Sequence, residues 1–527
     1  MQSMSPAASR LGRERRTMRS CENLLPRQNV FEFTGRSCGV RQRFSELTSG
    51  EGYASYGQAM TYPEAIQFLY DLRWFGLKLG LENSFKLAAL AGNPQDRLRF
   101  IHVAGTNGKG STCAMLESIY RAAGLRVGLF TSPHLVSFRE RIQVNRQLIR
   151  DIDVIRLVSE LQEWSRNFPA EAHPTFFEVV TVMALQYFAE QQCDLVVWET
   201  GLGGRLDATN IVTPLASVIT NIQLDHEKWL GETLKKIARE KAGIIKSNVP
   251  VITATDAPEA IAVIEETAAR LNAPCTKVGQ LFPRSADFQS AVSQVGNLRT
   301  APRAGHSADS KSAMQQIGNL RYGEEPALPL LGDHQRINAA LAVATVRALQ
   351  PVIPVGGEAI HTGLETVQWP GRLQIVKRDD QTVLLDGAHN PAGAETLRAA
   401  LKKYFPHSRP TMILGFLADK DWLRMCHLLA PLASEIFLTP VQSLRTASPG
   451  EMAEVCRREN PAARVAACAR LAEALQRAAT APFLVITGSL QFIGEAMELL
   501  QVAAESSQDE RGLNEWQATP AQPLVAQ

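Results

Sequence analysis

The stretch "VAGTNGKGST" (residues 103–112) places three glycines and a lysine between an apolar run and a helical pattern. Glycines let a backbone approach a phosphate group and turn several N–H groups toward it, and the N-terminus of a following helix adds a positive dipole. Leu116 and Ile119 continue at helical spacing, and Gly124 stands where that helix should end. The stretch therefore predicts a strand, a phosphate-binding loop and a helix in succession.

The spacing of this loop differs from the common motif G-x-x-x-x-G-K-[ST]. Here Gly110 separates Lys109 from the hydroxyl of Ser111. A lysine supplies a full positive charge, and a serine or threonine hydroxyl can reach Mg²⁺. The other interpretation is a glycine-rich turn without a ligand, but the combination of strand, lysine and helix favours phosphate binding.

Length and composition are those of an ordinary soluble globular protein. The chain has 527 residues, enough for two or three domains, with 45% hydrophobic and 20% charged residues. Its net charge of +2 favours neither nucleic acid nor a membrane surface as a partner. Its eight cysteines are scattered without a C-x-x-C pair, which indicates a reducing compartment and argues against a zinc cluster. We therefore expect a cytoplasmic monomer.

Residues 1–59 differ from the rest of the chain in composition. Five arginines lie between residues 10 and 19 without an amphipathic stripe, and Glu14 and Glu22 are atypical of an organelle-targeting segment. A clean helical pattern, "MTYPEAIQFLYDL", begins at Met60. We interpret residues 1–59 as a disordered tail, or as extra residues upstream of the true start, and keep a targeting segment as the alternative.

A duplicated segment interrupts the middle of the chain. "ADFQSAVSQVGNLR" (286–299) returns as "ADSKSAMQQIGNLR" (308–321). Two copies are too few for a solenoid, which needs about three repeats. Because loop closure costs little extra entropy as a loop lengthens, we interpret residues 283–323 as an inserted surface loop.

Buried apolar runs alternate with helical patterns through the remainder. Strands are expected at 195–198, 217–220, 249–253, 382–386, 411–415, 435–438 and 483–487. This alternation predicts an α/β protein. A P-loop-type domain with a parallel sheet would span residues 60–367, a second, smaller α/β domain with a parallel sheet would span 368–503, and 504–527 would form a disordered tail.

Several polar residues follow the expected strands, and ligands bind parallel sheets at this edge. Glu199 and Asp386 each end an apolar strand, and His226 follows another directly after an acid. A carboxylate facing a phosphate loop is a usual Mg²⁺ ligand, but each of these residues could also belong to an ordinary solvated loop or turn. Lys241 ends a helix, where its charge is best explained as a complement to the helix dipole.

Eight motifs occur in chain order between about Met60 and Leu500. They are "GTNGKGST" (105–112), "TSPHLVSFRERI" (131–142), "ETGLGGRLDATN" (199–210), "LDHEKWLG" (224–231), "REKAGIIK" (239–246), "GDHQRINAALA" (332–342), "WPGR" (369–372) and "DGAHNP" (386–391). Together they resemble the folylpolyglutamate synthase and dihydrofolate synthase branch of the Mur ligase superfamily. The resemblance implies an ATP-binding α/β domain followed by a smaller Rossmann-like domain.

The resemblance assigns roles to the matching positions. The ATP triphosphate would be held by Gly105, Thr106, Asn107, Gly108, Lys109, Gly110, Ser111 and Thr112. Magnesium ligands would be Ser132, Glu199 and His226, and Lys241 matches a lysine that CO₂ carbamylates in this family. Asn338 would contact adenine, and Arg372 and Asp386 would contact ATP when the domains close. The substrate side would include Phe176, Phe177, Glu178, Asp207 and His389.

The implied chemistry is the joining of L-glutamate to dihydropteroate, to a reduced folate, or to both. ATP would convert the acid to an acyl phosphate, which the glutamate amine attacks, and Lys109, His226 and Lys241 would be the catalytic residues. Two alternatives remain open. One is a different Mur-family amino-acid ligase, although only about 45 residues separate Met60 from Gly105, too few for an added domain of typical size. The other is a catalytically silent nucleotide-binding module.

Overall fold

The structure is a computed structural model that describes residues 60–76, 78–278, 328–503 and 510–515. The predictions for residues 1–59, for the loop at 283–323 and for most of the 504–527 tail lie outside the described residues. The described part consists of two α/β units, each built on its own sheet.

The first unit contains an eight-stranded sheet. Its strands are β1 (Phe100–Ala104), β2 (Val127–Phe130), β3 (Ile142–Val144), β4 (Gln147–Leu148), β5 (Leu195–Glu199), β6 (Ala216–Ile219), β7 (Val251–Thr253) and β8 (Cys275–Lys277). They lie in the order β4–β3–β2–β5–β1–β6–β7–β8. Along the sheet from β2 through β5, β1, β6 and β7 to β8, each neighbouring pair is parallel. At the other edge, β3 pairs antiparallel with both β2 and β4.

The burial of the strands matches their positions in the sheet. All five residues of β1 and all five of β5 are buried, as expected for central strands that are covered by helices on both faces. At the edge, β3 and β4 are joined by Asn145 and Arg146, both at positive φ. Two positive φ values in succession are typical of a tight hairpin turn, so this edge runs antiparallel.

Helices cover both faces of the first sheet. They are α1 (Tyr62–Asp71), α2 (Glu82–Leu90), α3 (Lys109–Ala122), α4 (Asp151–Ser165), α5 (Phe176–Glu190), α6 (Glu227–Leu230), α7 (Leu234–Ala242), α8 (Pro258–Arg270), α9 (Asp333–Ala348) and α10 (Gly357–Glu365). One hydrophobic core lies between the sheet and α3, α9 and α10, and a second lies between the sheet and α1, α4 and α5. Because α3 begins directly after the loop that follows β1, this packing fixes the loop at the carboxyl edge of the sheet.

The second unit contains a six-stranded sheet. Its strands are β9 (Gln374–Arg378), β10 (Gln381–Asp386), β11 (Thr411–Leu414), β12 (Glu435–Leu438), β13 (Arg464–Ala467) and β14 (Phe483–Thr487). They lie in the order β13–β12–β11–β14–β10–β9, with only β9 antiparallel to its neighbour. Its helices are α11 (Pro391–Tyr404), α12 (Trp422–Leu429), α13 (Pro449–Glu459), α14 (Leu471–Arg477) and α15 (Leu490–Leu499).

The two sheets confirm the predicted α/β fold class. Strands β1, β5, β6, β7, β10, β11, β12 and β14 were expected near their observed positions, whereas β2, β8, β13 and the antiparallel edge strands β3, β4 and β9 were not predicted. None of the described helices combines the length and the apolar character that a bilayer crossing requires.

Residues 510–515 differ from the expectation of a disordered tail, which is wrong for this segment. Glu510–Asn514 form a 3-10 helix, in which Glu510 and Leu513 are only 2% and 1% exposed. Leu513 joins the hydrophobic core around α1, α4 and α5, and the Glu510 carboxylate accepts a hydrogen bond from the backbone N–H of Phe138. The segment is too short to show a periodic apolar pattern, so its burial rests on these distant contacts.

The loop after β2 docks the two units together. Val136 is buried in a hydrophobic core of the second unit, and Leu135 packs against that core. On α15, Gly494 lies so close to this loop that a Cβ atom at that position would stand 1.9 Å from the Leu135 carbonyl oxygen. The docked arrangement therefore requires glycine at position 494.

We predict that Gly494→Ala destabilises the protein, although alanine is usually favoured over glycine in a helix by about 0.5–1 kcal/mol. The backbone carbonyl of Leu135 cannot move without disturbing the docking loop, so a net loss of about 1–3 kcal/mol is expected in denaturant unfolding. Gly450→Ala, in α13, is the control because the nearest heavy atom to its Cβ would be Ser448 Oγ at 3.8 Å. Equal stability of Gly494→Ala and the wild type would contradict the close approach.

Candidate active site

The carboxyl edges of the two sheets face one cavity of about 400 Å³. The first unit contributes the loop after β1, the end of β5 and the segment between β6 and α7. The second unit contributes the segment after β10 and Lys420. The cavity thus brings together most of the predicted site residues from both halves of the chain.

The predicted phosphate loop lies at the floor of this cavity. Gly108 has a φ of 83°, and a Cβ atom there would stand 2.5 Å from Asn338 Oδ1, so both conformation and space require glycine. The ammonium group of Lys109 donates hydrogen bonds to the carbonyl oxygens of Gly105 at 3.1 Å and Thr106 at 3.2 Å. The helix α3 begins at Lys109, so its N-terminal dipole points into the cavity, as the sequence predicted.

The additional glycine of the loop has a structural explanation. A Cβ atom at Gly110 would stand 2.8 Å from the ring of Trp369, which lies in the segment between α10 and β9. Arg146 donates a hydrogen bond to the carbonyl oxygen of Gln368 and lies 5.6 Å from the Trp369 ring centroid. The linker between the two units is therefore held against the phosphate loop.

Glu199 is a buried carboxylate at the end of β5, only 3% exposed. The backbone N–H of Ser132 donates a hydrogen bond to its Oε2 at 3.1 Å, so these two predicted metal ligands are neighbours. Burial raises the pKa of Glu199 to about 7, although the charge of Lys109 opposes the shift. An added cation would favour the ionised carboxylate.

Lys241 lies in the last turn of α7, but not as a surface charge. It is 4% exposed, and its Nζ donates a hydrogen bond to the carbonyl oxygen of Gly105 at 2.7 Å. Burial, together with the nearby charge of Lys109, lowers the pKa of Lys241 to about 7. The amine is therefore substantially neutral near neutral pH. Its position beside the phosphate loop argues against a role that is limited to complementing the helix dipole.

Asp225 joins the two units across the cavity. Its Oδ1 accepts a hydrogen bond from Lys420 Nζ at 2.5 Å, and its Oδ2 accepts one from Asn390 Nδ2 at 3.1 Å. His389 Nε2 lies 3.8 Å from the same Oδ2. Burial opposes ionisation of Asp225, but Lys420 and the two histidines hold its pKa below the usual range.

His226 follows Asp225 with a φ of 54° and begins the short helix α6. Burial lowers its pKa to about 3. A neutral imidazole can act as a ligand to a metal ion, so this electrostatic environment is consistent with the predicted role.

Arg372 and Asp386 meet where the linker enters the second unit. Asp386 ends β10, and its two oxygens accept hydrogen bonds from the backbone N–H groups of Leu373 at 2.9 Å and Ala388 at 3.1 Å. Burial lowers the pKa of Arg372, whereas Asp386 and Glu199 oppose the shift. Both residues line the cavity, as expected for nucleotide contacts in a closed form.

The aromatic end of the cavity contains the predicted substrate residues. Phe176 and Phe177 begin α5, and the Phe177 ring lies against Gly201. Glu178 accepts hydrogen bonds from the N–H and hydroxyl of Thr175 and so completes a capping box. The carboxylate of Asp207 is likewise engaged by its own loop, at the N–H groups of Leu202 and Thr209. These two acids thus shape the walls in addition to lining them.

Sequence reasoning gave no site role to several cavity residues, among them Arg141, Asn390, Lys420 and Asn514. Arg141 and Asn390 lie inside quoted motifs, "TSPHLVSFRERI" and "DGAHNP", which was the available signal. Lys420 and Asn514 lie outside those motifs, and only their contacts across the fold reveal them.

The side chains that the structure describes do not by themselves form a conventional metal cluster. Among the described residues, no group of three or more His, Cys, Asp or Glu side chains could hold a metal ion. Ser132, Glu199 and His226 supply a hydroxyl, one carboxylate and one imidazole to the cavity. This sparse set suits Mg²⁺, which usually takes one or two carboxylates and completes its shell with water and substrate phosphates.

Comparison with known protein families divides the chain at the linker. The Mur ligase middle domain family matches residues 103–346, and the Mur ligase glutamate ligase domain family matches residues 371–490. These matches cover the first unit from β1 to near the end of α9 and most of the second unit.

Individual proteins give the same result. The chain is 38% identical over 382 residues to the dihydrofolate synthase/folylpolyglutamate synthase of Bacillus subtilis, across 71% of this chain and 84% of that protein. A solved structure of Escherichia coli FolC in complex with DHPP and ADP superposes with a TM-score of 0.68 at 30% identity, covering 84% of this chain and 98% of that one. Mycobacterium tuberculosis folylpolyglutamate synthase, complexed with ADP and AMPPCP, gives a TM-score of 0.70 at 28% identity, covering 84% and 100% of the two chains.

We predict that Gly110→Ala weakens binding of an ATP analogue, since the new methyl group would displace the Trp369 ring or the phosphate loop. A loss of about 1–3 kcal/mol, as for overpacking of a core, corresponds to a rise of roughly 5- to 150-fold in Kd by calorimetry. Trp369→Ala in the same chain should relieve the clash. The double mutant should therefore lose less binding free energy for the ATP analogue than the two single mutants lose in sum. Strict additivity of the two substitutions would contradict the contact.

Proposed function

Since the chain belongs to the folylpolyglutamate synthase and dihydrofolate synthase family of Mur ligases, we infer that it joins L-glutamate to a pterin-containing carboxylic acid at the expense of ATP. The acid is dihydropteroate, a reduced folate, or both. The observation that carries this inference is the shared cavity. It presents the phosphate loop and buried Glu199 from one unit, together with Arg372, Asp386 and Lys420 from the other.

The charge of the cavity suits a polyphosphate. Lys109 and Arg372 lie near Glu199, Lys241 bonds to Gly105 of the phosphate loop, and N–H groups at the start of α3 face the same space. Asn338 lies against Gly108 and would contact the base from there. ATP therefore fits between the loop and the second unit, with Arg372 and Asp386 reaching it from the far side.

Magnesium would be held by Glu199, Ser132 and His226. The buried carboxylate of Glu199, whose pKa is raised without a cation, is the observation that supports an ion at this point. When bound, Mg²⁺ would neutralise charge on the phosphates of ATP.

The chemistry requires a better leaving group than the oxygen of a carboxylate. The acid takes the terminal phosphoryl group of ATP and ADP is released, which gives an acyl phosphate. The amine of glutamate then attacks this carbonyl carbon, and inorganic phosphate leaves from the tetrahedral intermediate. Lys109 stabilises the charge on the transferred group by position and electrostatics, and no protein nucleophile is needed.

Carbamylation of Lys241 would complete the site. CO₂ reacts with a neutral amine, and burial of Lys241 lowers its pKa enough to supply one. The product would be an anion beside Lys109, in a region where cations otherwise predominate. We therefore propose that Lys241 acts as a carbamate. We also propose that His389, whose Nε2 lies 3.8 Å from Asp225 Oδ2, faces the incoming substrate.

The direct experiment combines purified protein, ATP, Mg²⁺ and labelled L-glutamate with dihydropteroate or tetrahydrofolate in separate reactions. We expect label to enter the product with at least one acid and ADP to form in equal amount. Absence of incorporation with both acids would favour the catalytically silent module and overturn the proposal.

We predict that Lys109→Ala lowers the ligation rate by at least about 10²-fold, the effect of losing one preorganised electrostatic group. The fold should survive because the ammonium group bonds only to carbonyl oxygens of its own loop. Circular dichroism and the unfolding midpoint check the fold, and turnover checks the role. A rate near that of the wild type would contradict the assignment of this loop as the phosphate-binding loop.

Lys241→Ala separates the two interpretations of this lysine. If Lys241 is only a helix-terminal cation, its replacement should cost well under about 1 kcal/mol of stability and leave activity unchanged. Loss of a carbamate should abolish ligation, with partial recovery on addition of formate or acetate, which supply a small carboxylate. Lys246→Ala is the control, since Lys246 is half-buried and bonds to the carbonyl oxygen of Asn210.

The lowered pKa of Lys241 also predicts how reactivation depends on pH. Only the neutral amine reacts with CO₂, and its fraction rises as pH increases through about 7. Enzyme depleted of CO₂ should therefore regain activity faster at pH 8 than at pH 6 when dissolved CO₂ is matched. Equal rates of recovery at the two pH values would argue against this step.

A further inference from the structure

The C-terminal strap, residues 510–515, lies beyond residue 490, where the match to the glutamate ligase domain ends. It contacts the first unit at several places. The Glu510 carboxylate accepts hydrogen bonds from the Phe138 N–H at 2.5 Å and from Ser137 Oγ at 3.0 Å. Arg73 Nε donates to the carbonyl oxygen of Glu515 at 2.8 Å.

The strap also contacts the second unit. Arg445 Nε donates to Glu515 Oε2 at 2.9 Å, and Arg511 Nη2 donates to Gln442 Oε1 at 3.0 Å. Arg511 additionally pairs with Glu498 on α15. The strap therefore links both units beside the cavity between them.

Two strap residues reach the cavity itself. Leu513 and Asn514 line it together with Arg141 and Phe176, at its aromatic end. The Arg141 guanidinium lies over the Phe176 ring, 5.3 Å from its centroid. The strap thus forms a wall of the region assigned to the acid substrate.

Arg141 is held by the strap through two routes. Its Nη2 donates to Asn514 Oδ1 at 2.7 Å, and its Nε donates to His134 Nδ1 at 2.8 Å. Because arginine has no acceptor, Nδ1 of His134 must accept, so the ring proton lies on Nε2. That Nε2–H donates to the carbonyl oxygen of Glu510 at 2.9 Å.

The hydrogen-bond partners of Arg141 are neutral, and the nearby carboxylates of Glu140 and Glu199 act on its charge without forming an ion pair with it among the described residues. Arg141 is 3% exposed, and the salt bridges found among the described residues do not include it. Its two side-chain partners, Asn514 and His134, are an amide and an imidazole whose accepting nitrogen carries no proton. A buried cation with neutral partners at a cavity wall is suited to an anionic ligand.

We propose that the C-terminal strap completes the acid-substrate pocket, with Asn514 as a positioning residue that aims Arg141 at an anionic group of the pterin-containing acid. Leu513 supplies an apolar wall beside it. This inference rests on the proposed function for the identity of the acid. It assigns a role in substrate binding to a segment outside both family matches.

The first experiment compares two shortened chains in the presence of the ATP analogue AMPPCP. One ends after residue 515 and keeps the strap, and the other ends after residue 503 and lacks it. Titration with dihydropteroate and with tetrahydrofolate should give wild-type Kd values for the longer chain. The shorter chain should bind the acids about tenfold more weakly or worse, as for the loss of a charge-assisted hydrogen bond, and should bind AMPPCP normally.

Two point variants test Asn514 in the full chain. Asn514→Leu removes the acceptor and should raise KM for the acid about tenfold, with KM for ATP unchanged. Asn514→Asp gives up the hydrogen bond from Nδ2 to the His134 carbonyl oxygen at 3.0 Å but places a carboxylate against Arg141. The new ion pair should offset that loss and keep the unfolding midpoint near that of the wild type, while weakening acid binding by at least as much as Asn514→Leu does. A merely structural contact would not separate stability from substrate binding in this way.

The outcomes distinguish the strap from the proposed function. Wild-type affinity of both Asn514 variants for both acids would overturn the role of the strap. Binding of an acid by the wild type without ligation would overturn the ligase activity alone, and the strap would be judged from the Kd values. If the wild type binds neither acid, the proposed function and the ligand assigned to the strap are both overturned.

Discussion

The carboxylate of Asp225 is the point on which the arrangement of the two units depends. It is nearly buried at the edge of the first sheet, and Lys420, Asn390 and His389 reach it from the second. A buried charge that loses its partner costs far more than a surface ion pair contributes. The orientation of the units is therefore constrained at the place where ligands must enter, and the "DGAHNP" segment is fixed with it.

Around this junction, the cavity has more positive than negative groups of its own. Lys109, Lys241, Arg372 and Arg141 all line it, and three of them, Lys109, Arg372 and Arg141, lie near Glu199. Desolvation accordingly lowers the pKa values of Lys241, Arg141 and Arg372. Anionic ligands relieve this imbalance, so the binding of phosphates and carboxylates is favoured by the same electrostatics that make these cations costly to bury.

Local sequence was sufficient where a single turn decides the geometry. The phosphate loop, and the positions of Glu199 and Asp386 at the ends of strands, were predicted because a strand, its final residue and the next helix are adjacent in the chain. The capping role of Glu178 could also have been inferred from the sequence, since Thr175 stands three residues before it. Lys241 was interpreted as a helix-terminal cation because its neighbours in sequence do not show that Gly105 lies against it. Lys420 and Asn514 were not assigned for the same reason, as their partners lie 195 and 373 residues away.

The contact between Gly110 and Trp369 has a thermodynamic consequence. One of these residues lies in the phosphate loop and the other in the segment that joins the two units, so a shift in either is transmitted to the other through direct contact. Coupling between two binding equilibria is reciprocal: if nucleotide favours one angle between the units by some factor, that angle favours nucleotide by the same factor. Any ligand that contacts both units and prefers one angle between them therefore changes nucleotide affinity without touching the nucleotide.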